Sequence, residues 1–251
     1  MIKRQPITFT IAAFLIVVQS GSLYADELTL LTLGCMLQPS EKVQMSSPVP
    51  GVLDSVMVRR GDSIKEGDTL FQLKAGVERE GVQLARIRAE FAERKEQRNQ
   101  DLDLFDKDIL TVFERDEIKT ELLIAKSELR LKEQELSLRK VSSPINGVVV
   151  NRFNNKGEYV SVDPIMLLAT LNPLHVDLLL PSSYFGQINL KQKLLIKPES
   201  DMIDALTAEV IIVDPLIDSA SGTFRVQLVM INSGNKIPAG IRCTAQMVNK
   251  P

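Results

Sequence analysis

Few side chains in this chain are spaced for chemistry. Cys35 and Cys243 are its only cysteines, and His175 is its only histidine, in 251 residues. A lone imidazole beside an apolar run, with no Cys or His cluster near it in sequence, is far more often a packed or surface residue than a metal ligand. No phosphate-binding glycine loop and no recognisable nucleophile motif occurs in the sequence. Carboxylates are plentiful, 32 Asp and Glu against 30 Lys and Arg, but paired acid–base use needs a cleft that the pattern does not imply. Neither catalysis nor a metal site is expected. The formal charge of −2 and the absence of Trp also argue against a nucleic-acid partner, which would want a basic field and stacking platforms.

The two cysteines gain meaning from the N-terminus. Lys3 and Arg4 precede an apolar run at residues 7–18, and Ser22-Leu23-Tyr24-Ala25 is a small-residue site before Asp26. That is the layout of a secretory signal peptide, residues 1–25, cleaved before Asp26. An uncleaved anchor is the alternative, because residues 7–25 nearly reach spanning length. In an oxidising compartment an even cysteine count favours a disulfide, Cys35 to Cys243, over two buried free thiols.

The elements that must hold these residues are organised around an internal repeat. "SPVPGVLDSVMVRRGDSIKEGDTLFQL" at residues 47–73 and "SPINGVVVNRFNNKGEYVSVDPIMLLA" at residues 143–169 align with a shift of 96 positions. Gly51 then meets Gly147, and Gly61 meets Gly157. Repeats of this kind are read before anything else. Each copy has short apolar runs cut by glycines, which suits small strands and tight turns. Gly51, Gly61 and Gly67 sit where turns are needed, since glycine can reach positive φ without steric cost. Neither copy can bury both faces alone, so the two should close into one β-sandwich, residues 46–75 with 141–171.

Between the copies the composition changes. Residues 76–140 lack proline and are rich in Glu, Lys, Arg, Gln, Leu and Ala, all strong helix formers. Leu84, Ile87 and Phe91 follow a 3–4 spacing, as do Ile118, Leu122, Ala125 and Leu129. The pattern predicts two antiparallel helices, 77–105 and 113–140, each about 40–45 Å long, with a turn at 106–110. Arg94, Arg98 and Lys132 fall where apolar knobs are expected, so a strongly coupled isolated coiled coil is not expected, and lateral packing against other hairpins would help the pair. Before the repeat, residues 27–36 read as a strand followed by a Gln38-Pro39-Ser40 turn, and 26–45 as a segment joining the last domain. After it, Asn172-Pro173 reads as a turn and boundary. Apolar runs at 176–180, 193–196, 208–213, 224–231 and 241–248, punctuated by prolines, predict a small antiparallel β-barrel over 172–251.

A split lipoyl- or biotinyl-like sandwich interrupted by a helical hairpin resembles the HlyD-like periplasmic adaptors, or membrane fusion proteins. "PGVLDSVMVRRGDSIKEGDTLFQL" and "SPINGVV" are similar to that family's half-motifs, and residues 213–247 to its barrel segment. The resemblance implies a mixed, mainly β fold and a compact, non-catalytic, periplasmic subunit that oligomerises. It would join an inner-membrane transporter to an outer-membrane channel. It also implies docking at the hairpin tip, where Leu104 and Thr111 fit the family pattern but Gln100 stands where an Arg belongs; Phe105 and Leu110 are the other apolar residues there. Covalent carriage of biotin or lipoate is not expected. The acceptor position falls about Val77, and Lys74 comes too early. A cell-envelope scaffold without transport is the competing reading.

Overall fold

The computed structural model describes residues 32–105, 111–200 and 203–247; the signal segment lies outside them. The strands and helices, in chain order, are β1 (Thr32–Ser46), β2 (Gly51–Val56), β3 (Ser63–Ile64), β4 (Thr69–Leu73), α1 (Gly76–Phe105) and α2 (Val112–Ser137). Then follow β5 (Lys140–Ser142), β6 (Gly147–Arg152), β7 (Tyr159–Val160), β8 (Pro164–Pro181), β9 (Lys193–Pro198), β10 (Leu206–Val213), β11 (Thr223–Met230) and β12 (Arg242–Met247).

The two repeat copies interlock strand by strand. β2 of the first pairs with β7 of the second, β3 with β6, and β4 with β5, all antiparallel. Leu53, Leu70, Phe71 and Leu73 from the first copy share one core with Val149, Ile165, Met166 and Leu168 from the second. At equivalent turns Gly61 and Gly157 both take φ of 92°, a region that costs other residues a Cβ clash. Gly51, placed at a turn by the sequence, and its counterpart Gly147 behave differently. Both open strands, neither has positive φ, and each is small for its own reason. A Cβ on Gly147 would lie 2.2 Å from the Ala169 carbonyl oxygen, whereas one on Gly51 would lie 2.7 Å from Nη1 of Arg139.

Six strands close a barrel in the order β1-β12-β9-β10-β11-β8, with β1 pairing back onto β8. Its inward residues alternate along each strand, as a pleat requires: Leu174, Val176, Leu178 and Leu180 on β8, and Phe224, Val226, Leu228 and Met230 on β11. Two expected turns are absent. β1 runs through Gln38-Pro39-Ser40 and β8 through Asn172-Pro173 without ending, and the two strands pair along both domains. The ladder is irregular at those prolines: its register shifts between Pro39 and Glu41, opposite Leu174 and Thr170. A bulge leaves backbone groups outside the ladder, so a residue with no N–H is tolerated there. The prolines therefore mark where a continuous strand pair passes from sandwich to barrel.

Asn232 fixes that passage. Its side chain is 1% exposed and fully engaged. Nδ2 donates to the carbonyls of Leu171 (2.8 Å) and Ile237 (2.9 Å), and Oδ1 accepts from the Ile237 N–H at 3.0 Å. The Asn232 N–H donates to Oδ1 of Asn172 at 3.0 Å. One buried amide thus holds the β11–β12 connection against the bulge of β8.

Candidate partner-binding surfaces

The helical pair is the most extended feature, and its seam is not the expected one. On α1 the buried residues are Val82, Ala85, Ala89 and Ala92, followed toward the tip by Glu96 and Asn99. On α2 Ala125 is buried, with Leu122 and Leu129 packed beside it. Leu84, Ile87 and Phe91 face outward instead, 53%, 61% and 64% exposed. Alanines let the two backbones approach closely, and the larger residues one position off the seam are left for another surface. Arg94 and Arg98 likewise lie off the seam, on exposed positions, while Lys132 is half-buried on it.

Among the described residues, four ion pairs cross between the helices: Arg86–Glu133 (3.3 Å), Arg88–Glu128 (2.9 Å), Lys95–Glu121 (2.6 Å) and Lys126–Glu93 (2.7 Å). Their side chains are about half exposed, so they set register more than they add stability. Beside the Arg88 and Lys95 pairs runs a groove of about 1000 Å³, whose apolar wall is Ile87, Phe91, Phe113 and Ile124.

At the hairpin root, Arg139 donates from Nη2 to Oε1 of Glu78 at 2.6 Å and from Nη1 to the Pro50 carbonyl at 3.0 Å. This joins α1 to the start of β2, through the space that Gly51 leaves. At the far end Thr111 caps α2 in a reciprocal box. Its Oγ1 accepts from the Glu114 N–H at 3.2 Å, and its own N–H donates to Oε2 of Glu114 at 2.8 Å, as a capping box requires. That N–H first, then the Thr111 hydroxyl, holds the Glu114 carboxyl below its ordinary pKa. Gln100, which replaces the expected Arg, donates from Nε2 to Oε1 of the buried Glu96 at 3.0 Å. Leu104 and Phe105 end α1, but their side chains, like all of Leu110, lie outside the described residues.

The remaining sequence candidates fall elsewhere. Cys35 and Cys243 are directly paired across β1 and β12 and joined in a disulfide, Cα atoms 4.8 Å apart, so the first and last barrel strands are tied. His175 lies half-buried on β8 opposite Gln38 and Val229, and among the described residues no cluster of three His, Cys, Asp or Glu is placed to hold a metal. Val77, at the carrier position, sits in the first turn of α1, where a swinging carrier would need a hairpin tip.

A split sandwich with an inserted helical pair and a six-strand barrel define the fold of the membrane fusion, or periplasmic adaptor, proteins. The chain matches a MacA–MexA chimeric protein, containing the α-hairpin domain of Pseudomonas aeruginosa MexA, with a TM-score of 0.74 at 17% identity, over 86% of this chain and 80% of that one. It matches a membrane fusion protein of Streptococcus pneumoniae with a TM-score of 0.70 at 14% identity, over 88% and 100%. In sequence it is 22% identical over 208 residues to an uncharacterized protein of Haemophilus influenzae, covering 82% of this chain and 54% of that relative. The chain thus spans about half the relative's length. No family model matches.

Proposed function

We propose that the protein is a non-catalytic periplasmic adaptor of an efflux or secretion assembly, linking an inner-membrane transporter to an outer-membrane channel as one of several copies. The observation that carries this reading is the outward apolar flank of the hairpin. Phe91, Ile124 and Phe113 are 64%, 62% and 77% exposed along a helical pair whose seam is already filled by alanines. A merely solvated spacer has no use for that flank. Neighbouring hairpins or partner helices would cover it. The tip, with Leu104, Phe105, Leu110 and Thr111, would meet the channel, and the barrel would face the transporter.

The test is complementation of a deletion strain with Phe91→Asp/Ile124→Asp, both at exposed positions. Loss of the export or resistance phenotype at normal abundance, together with loss of cross-linked transporter and channel on co-purification, is the expected result. Full complementation with unchanged cross-links would leave a scaffold without transport as the reading.

A further inference from the structure

The outward flank of the hairpin is made of two columns. Leu84, Phe91 and Arg98 recur every seven residues on α1, one position beside the alanine seam, and Glu117, Ile124 and Leu131 recur every seven on α2. A spacing of seven keeps residues on one side of a helix. All six side chains are exposed, and Phe91, Glu117 and Ile124 line the groove between the helices. The Arg88–Glu128 and Lys95–Glu121 pairs lie between the columns and fix their heights: seven residues up α1 correspond to seven down α2. On that register Leu84 is level with Leu131, Phe91 with Ile124 and Arg98 with Glu117, each to within about one residue, or about 1.5 Å.

The two columns are complementary along their length. Each has two apolar residues and one charge, and the charges are opposite and at the same height. Neither Arg98 nor Glu117 has an ion-pair partner among the described residues. The opposite flank of the hairpin differs. It carries the Arg86–Glu133 and Lys126–Glu93 pairs, with Glu90 and Arg130 exposed beside them and Val112 and Leu123 as its large apolar residues.

We propose that this flank is covered by the same flank of a second copy, the two hairpins pointing the same way about a two-fold axis parallel to them. That operation lays α1 of each copy on α2 of the other at equal height. Leu84 then meets Leu131, Phe91 meets Ile124 and Arg98 meets Glu117, each contact occurring twice. Hairpins pointing opposite ways would lay α1 on α1, with Leu84 against Arg98. A head-to-tail contact would lay the apolar columns on the charged flank. Both alternatives press charge onto apolar surface, which costs solvation without return. The pairing rests on reading the flank as an assembly surface, and it names the occupant. A ring built from such pairs holds an even number of copies, joined through a different surface.

The native cysteines are joined to each other, so an introduced cysteine is the reactive thiol. Full chains carrying Leu84→Cys and Leu131→Cys, one of them tagged, are co-expressed and treated with a short bismaleimide. The cross-linked dimer should contain one chain of each kind, and either variant alone should link poorly. Equal linkage of each variant to itself, or no linkage, overturns the pairing. In sedimentation equilibrium, Arg98→Glu should raise the dimer dissociation constant about tenfold or more, because like charges then oppose each other. Arg98→Glu/Glu117→Arg should restore it; a double variant as weak as the single one also overturns the pairing. Failure here, with export still lost in Phe91→Asp/Ile124→Asp, leaves the adaptor reading standing and gives the flank to a partner's helices. Pairing lost in that variant with export intact keeps the pairing and removes the adaptor reading.

Discussion

Arg139 reaches from the end of the hairpin to Glu78 at its beginning, 2.6 Å away, and the guanidinium occupies the space that a side chain on Gly51 would take. One ion pair, about one-fifth exposed on each side, therefore closes the root of the hairpin and seats it on the sandwich.

If all three residues act through one clamp, their substitutions should not add. Arg139→Ala is expected to cost about 1.5–3 kcal/mol, the scale of a charge-assisted hydrogen bond. Gly51→Ala, which mainly pushes aside the end of a flexible side chain, should cost about 1 kcal/mol in the native background and close to nothing in the Arg139→Ala background. Urea denaturation of the single and double variants measures this. Additive costs would show that Gly51 and Arg139 are independent.

The matching glycine of the second copy should behave differently. At Gly147 the obstacle is the backbone of β8, which cannot step aside, so Gly147→Ala is expected to cost on the order of 3 kcal/mol or more, the range of overpacked core sites. A change within about 0.5 kcal/mol, as at an ordinary surface site, would refute the close approach of β6 to β8.

Three carboxylates are held below their ordinary pKa by hydrogen bonds to the charged form: Glu114 by Thr111, Glu158 chiefly by the amides of Asn154 and Asn155, and Asp218 chiefly by the N–H of Ser221. A folded-state pKa below the unfolded one stabilises the fold above the ordinary carboxylate range. That contribution fades as pH falls through the lowered values. Stability from these turns and this cap should therefore be flat near neutrality and decline only in acid. Glu158→Gln, followed by thermal melts across the acid range, should flatten part of that decline; an unchanged acid slope would exclude the residue.

The disulfide ties strands that are adjacent in space but separated by 208 positions. Its loss removes a constraint on the unfolded chain, and Cys35→Ser is expected to destabilise by about 2–5 kcal/mol. Reductant should bring the native protein to the same denaturation midpoint. A midpoint unmoved by either change would show that β1 is held by its ladder alone.

The repeat was readable because paired glycines at a fixed offset mark paired turns, and Gly61 and Gly157 share one φ to the degree. The α2 seam was readable because Leu122, Ala125 and Leu129, which carry its spacing, are the residues packed toward α1. On α1 the same reasoning chose Leu84, Ile87 and Phe91, since periodicity weighs large apolar residues above the alanines that form the contact. The turns assigned to Pro39 and Pro173 failed for another reason. A proline in a long strand looks like a terminator unless the bulge that tolerates it can be seen, and that bulge depends on the partner strand. Asn232 carried no sequence signal, because its four hydrogen bonds join segments brought together by the fold.

The interlocked halves of the sandwich also decide the order of events in folding. β2 and β4 pair with each other within the first copy, but β3 and the outer edges of β2 and β4 find their partners only when residues 140–160 are available, so the sandwich cannot close on its first copy. The helices between them form by local contacts, which are fast, whereas pairing across that span carries a loop-closure cost that grows only with the logarithm of length. An early hairpin would shorten the search by bringing Leu73 and Arg139 side by side, where the Leu73 N–H donates to the Arg139 carbonyl, making it a folding guide for the domain that later carries it. Lengthening or trimming the helices by whole turns should for the same reason leave the sandwich able to assemble, which makes hairpin length a freely adjustable dimension of the molecule.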